Sequence, residues 1–537
     1  VSDQGEQQGP GTGIAAIAAA VAEAEAPVDE LKLALEPRND IGNARRLIAR
    51  HGQDMIYVDG TEWLIWDGRR WSAQGGEPEA MKRAHLVADA MAGEVKALDA
   101  EFKRLRADPP EGFSPGEWLK RIEDHGKWRG SSGNAAKVDA MLRTAMPYRR
   151  RLARELDDRP FLLNVANGTL ELPTELTTGE DGLPELVDGE IKLRPHRHDD
   201  LITRICNVVY DPAARCPQWL TFLDQIVPDK DTQVFLQTWF GYVLTGDISE
   251  QQLVMAHGAG ANGKSTLLDV IKYIMGDYAI VLPIETFLSD EKRRGGDATP
   301  DLARVPGARL ITASEPEGAR ALSESMTKQV TGGEEMTARN LHQPFFEFMP
   351  CFKLVLAFNK KPRVRGQDEG IWRRILLVPF LEFIQKNKRD KMLPKRLKLE
   401  AAGILNWMLD GYLIWRERGL VAPESVLHAT DEYRSESDTV GEFMRVVTRR
   451  EKGQKVQANR LFDIFTKWAG INGLQPTSRT AFGRRLSDLH YEKEKVGVYF
   501  YTDLALVEEE IGQLESSGSG SGRDPRPDDG GMPDQSG

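Results

Sequence analysis

The chain has 537 residues, 40% hydrophobic and 28% charged, with a formal net charge of −11. That length and balance suit a soluble globular protein of several domains, each with its own core. No apolar run approaches the roughly 20 residues that span a bilayer. The three cysteines, Cys206, Cys216 and Cys351, form no CxxC pair, so neither a disulfide framework nor a zinc module is expected.

Residues 1–38 are rich in Gly, Ala, Gln and acid, show no core pattern, and are expected to be disordered. The Ala-rich part is interrupted by Glu23 and Glu25 and has no basic flank, unlike a signal peptide. An α+β region is expected over residues 39–215. Met55–Val58 and Glu62–Trp66, each followed by Asp-Gly, read as a small β-meander. Trp63, Trp66 and Trp71 read as packing residues, with base stacking as the alternative. Helical spacing runs over Ala80–Arg106 and Ala135–Leu156, and Phe161–Leu172 reads as two strands about an Asn-Gly turn.

A helical lead-in is expected over 216–250, and an α/β nucleotide-binding core over 251–385, where strand and helix patterns alternate. A helical segment (386–455), a small terminal module (456–510) and a flexible Ser/Gly/Pro/Asp tail (511–537) complete the chain. The charge is uneven. Lys360–Glu400 holds thirteen Lys/Arg against five Asp/Glu in a chain that is acidic overall. Net acidity argues against nucleic acid as a partner, but local charge outweighs the total because distant charges are screened.

Leu253–His257 is a short apolar run, followed by Gly258-Ala259-Gly260-Ala261-Asn262-Gly263-Lys264-Ser265 and then, from Thr266, a helical pattern. Strand, Gly-rich loop and helix is the context in which this pattern binds phosphate. Glycines let backbone N–H groups close around phosphate oxygens, and the helix N-terminus adds partial positive charge. Lys264 is placed to reach the β and γ phosphates of ATP, and the Ser265 hydroxyl to hold Mg²⁺. Two later strands end on polar residues. Ala308–Glu315 ends on a carboxylate that can hold Mg²⁺ through water and polarise the attacking water, with Glu317 as a competitor. Phe352–Asn359 ends on an amide suited to orient that water.

With Gly332-Gly333-Glu334 between them, these segments resemble motifs A, B, B′ and C of superfamily 3 helicases. More narrowly, the chain resembles the helicase part of phage and plasmid primase-helicases, related to the poxvirus primase-helicase. Phe161–Leu172, Leu193–His196 and Cys216–Leu220 are similar to that family's region before the ATPase. Ile371–Ile375 with Val378–Phe380 is similar to its arginine-finger segment. The resemblance implies an AAA+-like P-loop ATPase core, an α+β N-terminal domain and a C-terminal winged helix. It implies a ring, usually a hexamer, with ATP between subunits, and Arg373 or Arg374 reaching the neighbour's γ-phosphate; Arg373 is favoured slightly.

The family's channel hairpin falls near Thr337–Gln343, making Lys328, Arg339 and His342 candidates for DNA phosphate. In the terminal module, the second helix would present Arg479, Arg484 and Arg485 to DNA. No DxD-type metal motif precedes the core, so a separate primase or polymerase is expected to do the priming. The expected function is ATP-dependent unwinding of phage, prophage or plasmid DNA in a bacterial cytoplasm. The alternatives are a bifunctional primase-helicase and an ATP-switched initiator or loader.

Overall fold

The computed structural model describes residues 28–59, 62–179, 182–288, 300–314, 321–339, 345–474 and 476–517. Helices α1 (Glu30–Ala34) and α2 (Asp40–His51) start on side-chain caps, Asp29 accepting from Lys32 N and Asn39 from Gly42 N. α1 lies inside the stretch expected to lack order. Tertiary contacts hold it: Leu33 is buried and its carbonyl accepts from the buried Arg46 guanidinium at 2.8 Å.

The expected meander forms from β1 (Met55–Val58), β2 (Trp63–Trp66) and β3 (Trp71–Ser72), with β4 (Arg150–Arg151) added parallel to β1. α3 (Gly76–Ala107), α4 (Pro115–Ser132) and α5 (Ala135–Arg149) follow in sequence between β3 and β4. Met55 and Trp63 share a core with Ala80, Val87 and Met141 of α3 and α5. Trp63 and Trp71 are buried, so they pack, while Trp66 lies against the His198 ring at 4.4 Å. A charged knot crosses these helices. Glu94 of α3 accepts from Arg46 (2.8 Å) and Arg50 (3.1 Å) and lies 3.0 Å from His125 Nε2.

Strands β5 (Leu162–Val165), β6 (Gly168–Glu171) and β7 (Lys192–Arg194) form an antiparallel sheet. Helices α6 (Pro217–Ile226) and α7 (Lys230–Val243) then lead into the central sheet. That sheet comprises β8 (Leu253–His257), β9 (Ala279–Val281), β10 (Leu310–Ser314), β13 (Lys353–Phe358) and β14 (Ile375–Pro379). It is parallel throughout, in spatial order β9-β10-β13-β8-β14. Its strands are nearly continuous apolar runs because both faces are covered. On β8, Val254 and Ala256 enter one core and Leu253 and Met255 the other, as the alternation of strand side chains requires. α8 (Lys264–Met275) follows β8, and α9 (Glu324–Gly332) precedes an antiparallel hairpin of β11 (Met336–Ala338) and β12 (Phe346–Phe348).

Beyond α10 (Glu369–Trp372) and β14 come α11 (Leu393–Leu399), α12 (Ala401–Arg418) and α13 (Glu424–Ser437). The last packed unit starts earlier than residue 456. α14 (Thr439–Val447) puts Phe443 and Met444 into one core with α15 (Ala458–Ile471) and α16 (Arg479–Asp488). β15 (Thr448–Gln457) pairs with β17 (Val498–Leu506), which pairs with β16 (Lys493–Val496). β15 is mostly exposed, so it carries no hydrophobic alternation for a sequence to display. Helix Glu508–Ser517 stands at the start of the stretch expected to be flexible.

Candidate functional site

The loop after β8 sits at the C-terminal edge of the parallel sheet, the edge where open α/β sheets bind ligands. β8 lies between β13 and β14, so the loop has a strand end on either side. Two of its glycines are dictated by close packing. A Cβ on Gly258 would lie 2.2 Å from the Phe380 carbonyl oxygen. At Gly263, with φ +85°, a Cβ would lie 2.4 Å from Ile226 Cγ2 of α6. Gly260 and Ala261 also have positive φ, at 57° and 53°; for Ala261 that is an uncommon conformation for a residue with a Cβ. The loop is braced from β14's side. Asn262 Nδ2 donates to Phe380 O at 3.1 Å, and Ile384 N donates to Ala261 O at 2.9 Å.

Lys264 opens α8 and is buried. Its Nζ donates to Gly258 O at 2.6 Å and to Asn262 Oδ1 at 3.1 Å, inside the curve of the loop. Burial holds its ammonium below the ordinary lysine range. Ser265 and Ala259 are exposed and Thr266 half-buried at the helix entrance. His257, the last residue of β8, escaped the sequence reading. Burial, with Lys361 and Lys264 nearby, pushes its imidazole below the usual range, and only its place in the sheet reveals it.

Asn359 stands one residue past Phe358, the register partner of His257, and is exposed beside the loop. Ser314, the end of β10, pairs with Ala357 on the same edge. Glu315 follows it but lies, with Glu317 and His342, outside the described residues.

The two arginines before β14 part company. Arg374 is buried, with Nε on Thr331 Oγ1 at 3.1 Å and Nη1 on the Gly370 carbonyl. Arg373 is exposed and touches Gln251 Oε1 at 3.3 Å. Both precede β14, at the edge of the sheet opposite the Gly-rich loop. Five strand residues separate the edges, a span of about 17 Å. Arg373 therefore faces away from its own chain's loop.

Of the remaining residues, Lys328 on α9 is paired with Asp368 at 3.0 Å. Arg339 lies just past β11, its guanidinium 4.6 Å from the Phe345 ring centroid. Arg479 and Arg484 are exposed on α16, Arg479 donating to Asn459 at 3.1 Å. Arg485 turns inward, contrary to the outward placement expected of it. It forms a fork with Asp438 at 3.1 and 2.6 Å, because Asp438 caps α14 and packs against α16. The cysteines are unpaired, and burial raises the Cys206 thiol to about 12 and that of Cys216 to about 11. Among the described residues, no group of three or more His, Cys, Asp and Glu is placed to hold a metal ion, and no helix is long and apolar enough to cross a membrane.

A mixed α/β protein with a parallel sheet and a Gly-rich loop at its C-terminal edge is the class these observations define. Residues 44–228 match the family described as "D5 N terminal like". A protein of Acanthamoeba polyphaga mimivirus, named "Putative helicase L207/L206", is 29% identical over 71% of this chain and 39% of its own length. "Putative helicase 022R" of Frog virus 3 is 24% identical over 49% of this chain and 29% of its own. "Putative primase C962R" of African swine fever virus is 26% identical over 42% of this chain and 22% of its own. The chain is similar to viral proteins named putative helicases and a putative primase, and over residues 44–228 to the D5 N-terminal-like family. It spans about two fifths or less of these relatives. They come from viruses of eukaryotes and lend no support to a bacterial host. The apo C-terminal region of NrS-1, at 11% identity, covers 55% of this chain and 78% of that one with a TM-score of 0.35, too low to carry an argument.

Proposed function

We propose that the chain is the ATP-driven motor of a superfamily 3 DNA helicase, with a P-loop ATPase core over 251–385 and a winged helix at its C-terminal end. The observation that carries this is the buried Lys264 amine held inside a loop where packing against Phe380 and Ile226 leaves no room for a Cβ at 258 and 263. The site fits a triphosphate with Mg²⁺. The loop supplies inward backbone, α8 supplies its positive end, and the exposed Ser265 hydroxyl is free to take a metal ligand's position. Mg²⁺ held at Ser265 would supply Lewis-acid neutralisation of phosphate charge.

The chain's own residues then divide the work. Lys264 leaves Gly258 O for the phosphates, where its charge counters that developing on the γ-phosphoryl group. Asn359 and Glu315 orient and polarise the attacking water. Arg373 serves a neighbouring subunit, since it faces away from its own loop. Such sharing requires a head-to-tail neighbour, and a hexameric ring is the assembly the family resemblance implies. The β11–β12 hairpin, with Arg339 at the loop end of β11, is proposed to grip DNA backbone, which suits a motor because phosphates carry no sequence. Arg479 and Arg484 are the remaining contacts proposed for α16.

Strand displacement on a forked duplex with ATP tests this. The unmodified chain displaces the strand, while Lys264→Ala loses displacement and ATP turnover together and keeps its circular-dichroism spectrum. Normal turnover by that variant would reject the site. DNA-stimulated turnover without displacement would favour the loader. A primer-synthesis assay checks the bifunctional reading, which the name of the swine fever relative keeps in view.

A further inference from the structure

The segment 381–399, between β14 and α12, takes no part in the chemistry above, yet its surface is unlike the rest of the chain. Residues 386–398 hold seven Lys/Arg and one acid, Asp390, in a protein of net charge −11. Asp390 is taken by Arg396. Lys386, Lys388, Arg389, Lys391 and Lys395 are exposed and, among the described residues, have no ion pair. Large apolar side chains lie among these cations. Leu399 is 82% exposed, Leu381 81% and Phe383 65%. The Arg389 guanidinium lies 5.5 Å from the Phe383 ring centroid, and the Lys398 amine 5.0 Å from that of Tyr273 on α8.

We propose that this face binds single-stranded DNA, at a site separate from the β11–β12 hairpin. Cations without acidic partners complement a chain of phosphates. An exposed ring suits an unpaired base, whose face is hidden in a duplex. The face adjoins the nucleotide loop through the Ile384–Ala261 hydrogen bond, so a strand held here bears on the loop that holds phosphate. The proposal rests on the DNA part of the function above.

The test is fluorescence anisotropy of a labelled oligo-dT with the full chain, without nucleotide, between ~50 and ~200 mM NaCl. In Lys386→Ala/Lys388→Ala/Lys391→Ala, affinity falls and the slope of log K against log salt drops by about 2, at about 0.7 per phosphate released. Phe383→Ala weakens binding about tenfold and leaves the slope unchanged. Both variants keep basal ATP turnover and lose part of its stimulation by DNA. Unchanged affinity and slope in the triple variant overturn the proposal. So does a triple variant that keeps DNA binding but changes its sedimentation, which marks a contact between copies, or one that instead loses binding to phosphatidylserine vesicles. An unmodified chain that hydrolyses ATP but binds no oligonucleotide overturns both this site and the DNA part of the function.

Discussion

Arg373 and Arg374 are adjacent in sequence and opposite in environment. Arg374 spends its guanidinium on Thr331 and Gly370 inside the fold, whereas Arg373 is exposed on the edge away from its own loop. Arg373→Ala is therefore expected to leave stability and ATP binding intact and to lower ATP turnover about a thousandfold or more, within the ~10³–10⁵ range of arginine fingers. Arg374→Ala is expected to unfold at lower urea, by about 1–3 kcal/mol, because Thr331 Oγ1 and the Gly370 carbonyl lose a donor. Urea melts beside steady-state ATPase separate the two; equal stability loss in both variants would reject the distinction. The sequence left this pair open, since adjacency says nothing about which side chain turns inward. The same limit applies to Arg485, whose partner Asp438 lies 47 residues away. The turn at Gly258, Gly263 and Lys264 between a strand and a helix was legible because glycine spacing marks it.

At the scale of elements, the meander, the alternating strands of the core and the paired helices α15 and α16 were legible from periodicity and turn residues. The polar tie between α2, α3 and α4 was not, because Arg46, Glu94 and His125 read as ordinary helix-surface residues. Burial pushes the Glu94 carboxyl up, but hydrogen bonds from His125, Arg46 and Arg50 outweigh it and hold it below the usual range. A carboxyl lowered on folding contributes stability that is present above its unfolded value, near 4.5, and is lost as pH falls through its folded value. Acid is thus expected to loosen this bundle below about pH 4.5. Glu94→Gln is expected to cost about 3–5 kcal/mol at neutral pH, since it strands buried Arg46 without its counter-charge. Denaturant melts across pH check both: a variant that is as stable as the parent and keeps the same acid transition would show the knot to be dispensable. α1 belongs to this scale too. Its composition suggests disorder, and tertiary contacts order it: Arg46 donates to Leu33 O, Arg50 forks onto Glu30, and Leu33 and Ala34 are buried.

For the whole molecule, the parallel sheet sets the Gly-rich loop on one edge and Arg373 on the other, which is why the proposed site draws its arginine from a second chain. In the proposed assembly, neighbours arranged head to tail bring the two edges together, and the contact closes a ring where its rotation allows. Which edge each residue occupies follows from strand direction, legible once β8 and β14 are known to be parallel. The domain packing that joins α14 to the terminal module was hidden by the polar surface of β15. The central claim is that ATP is hydrolysed at a site built from Lys264 of one chain and Arg373 of the next. Mixing tests it most directly. Lys264→Ala and Arg373→Ala chains, each inactive alone, are co-purified through different tags as mixed assemblies, and ATP turnover is measured. Recovery of a substantial fraction of the parent's turnover is the predicted result; verified mixed assemblies that stay as inactive as either parent variant would contradict the shared site.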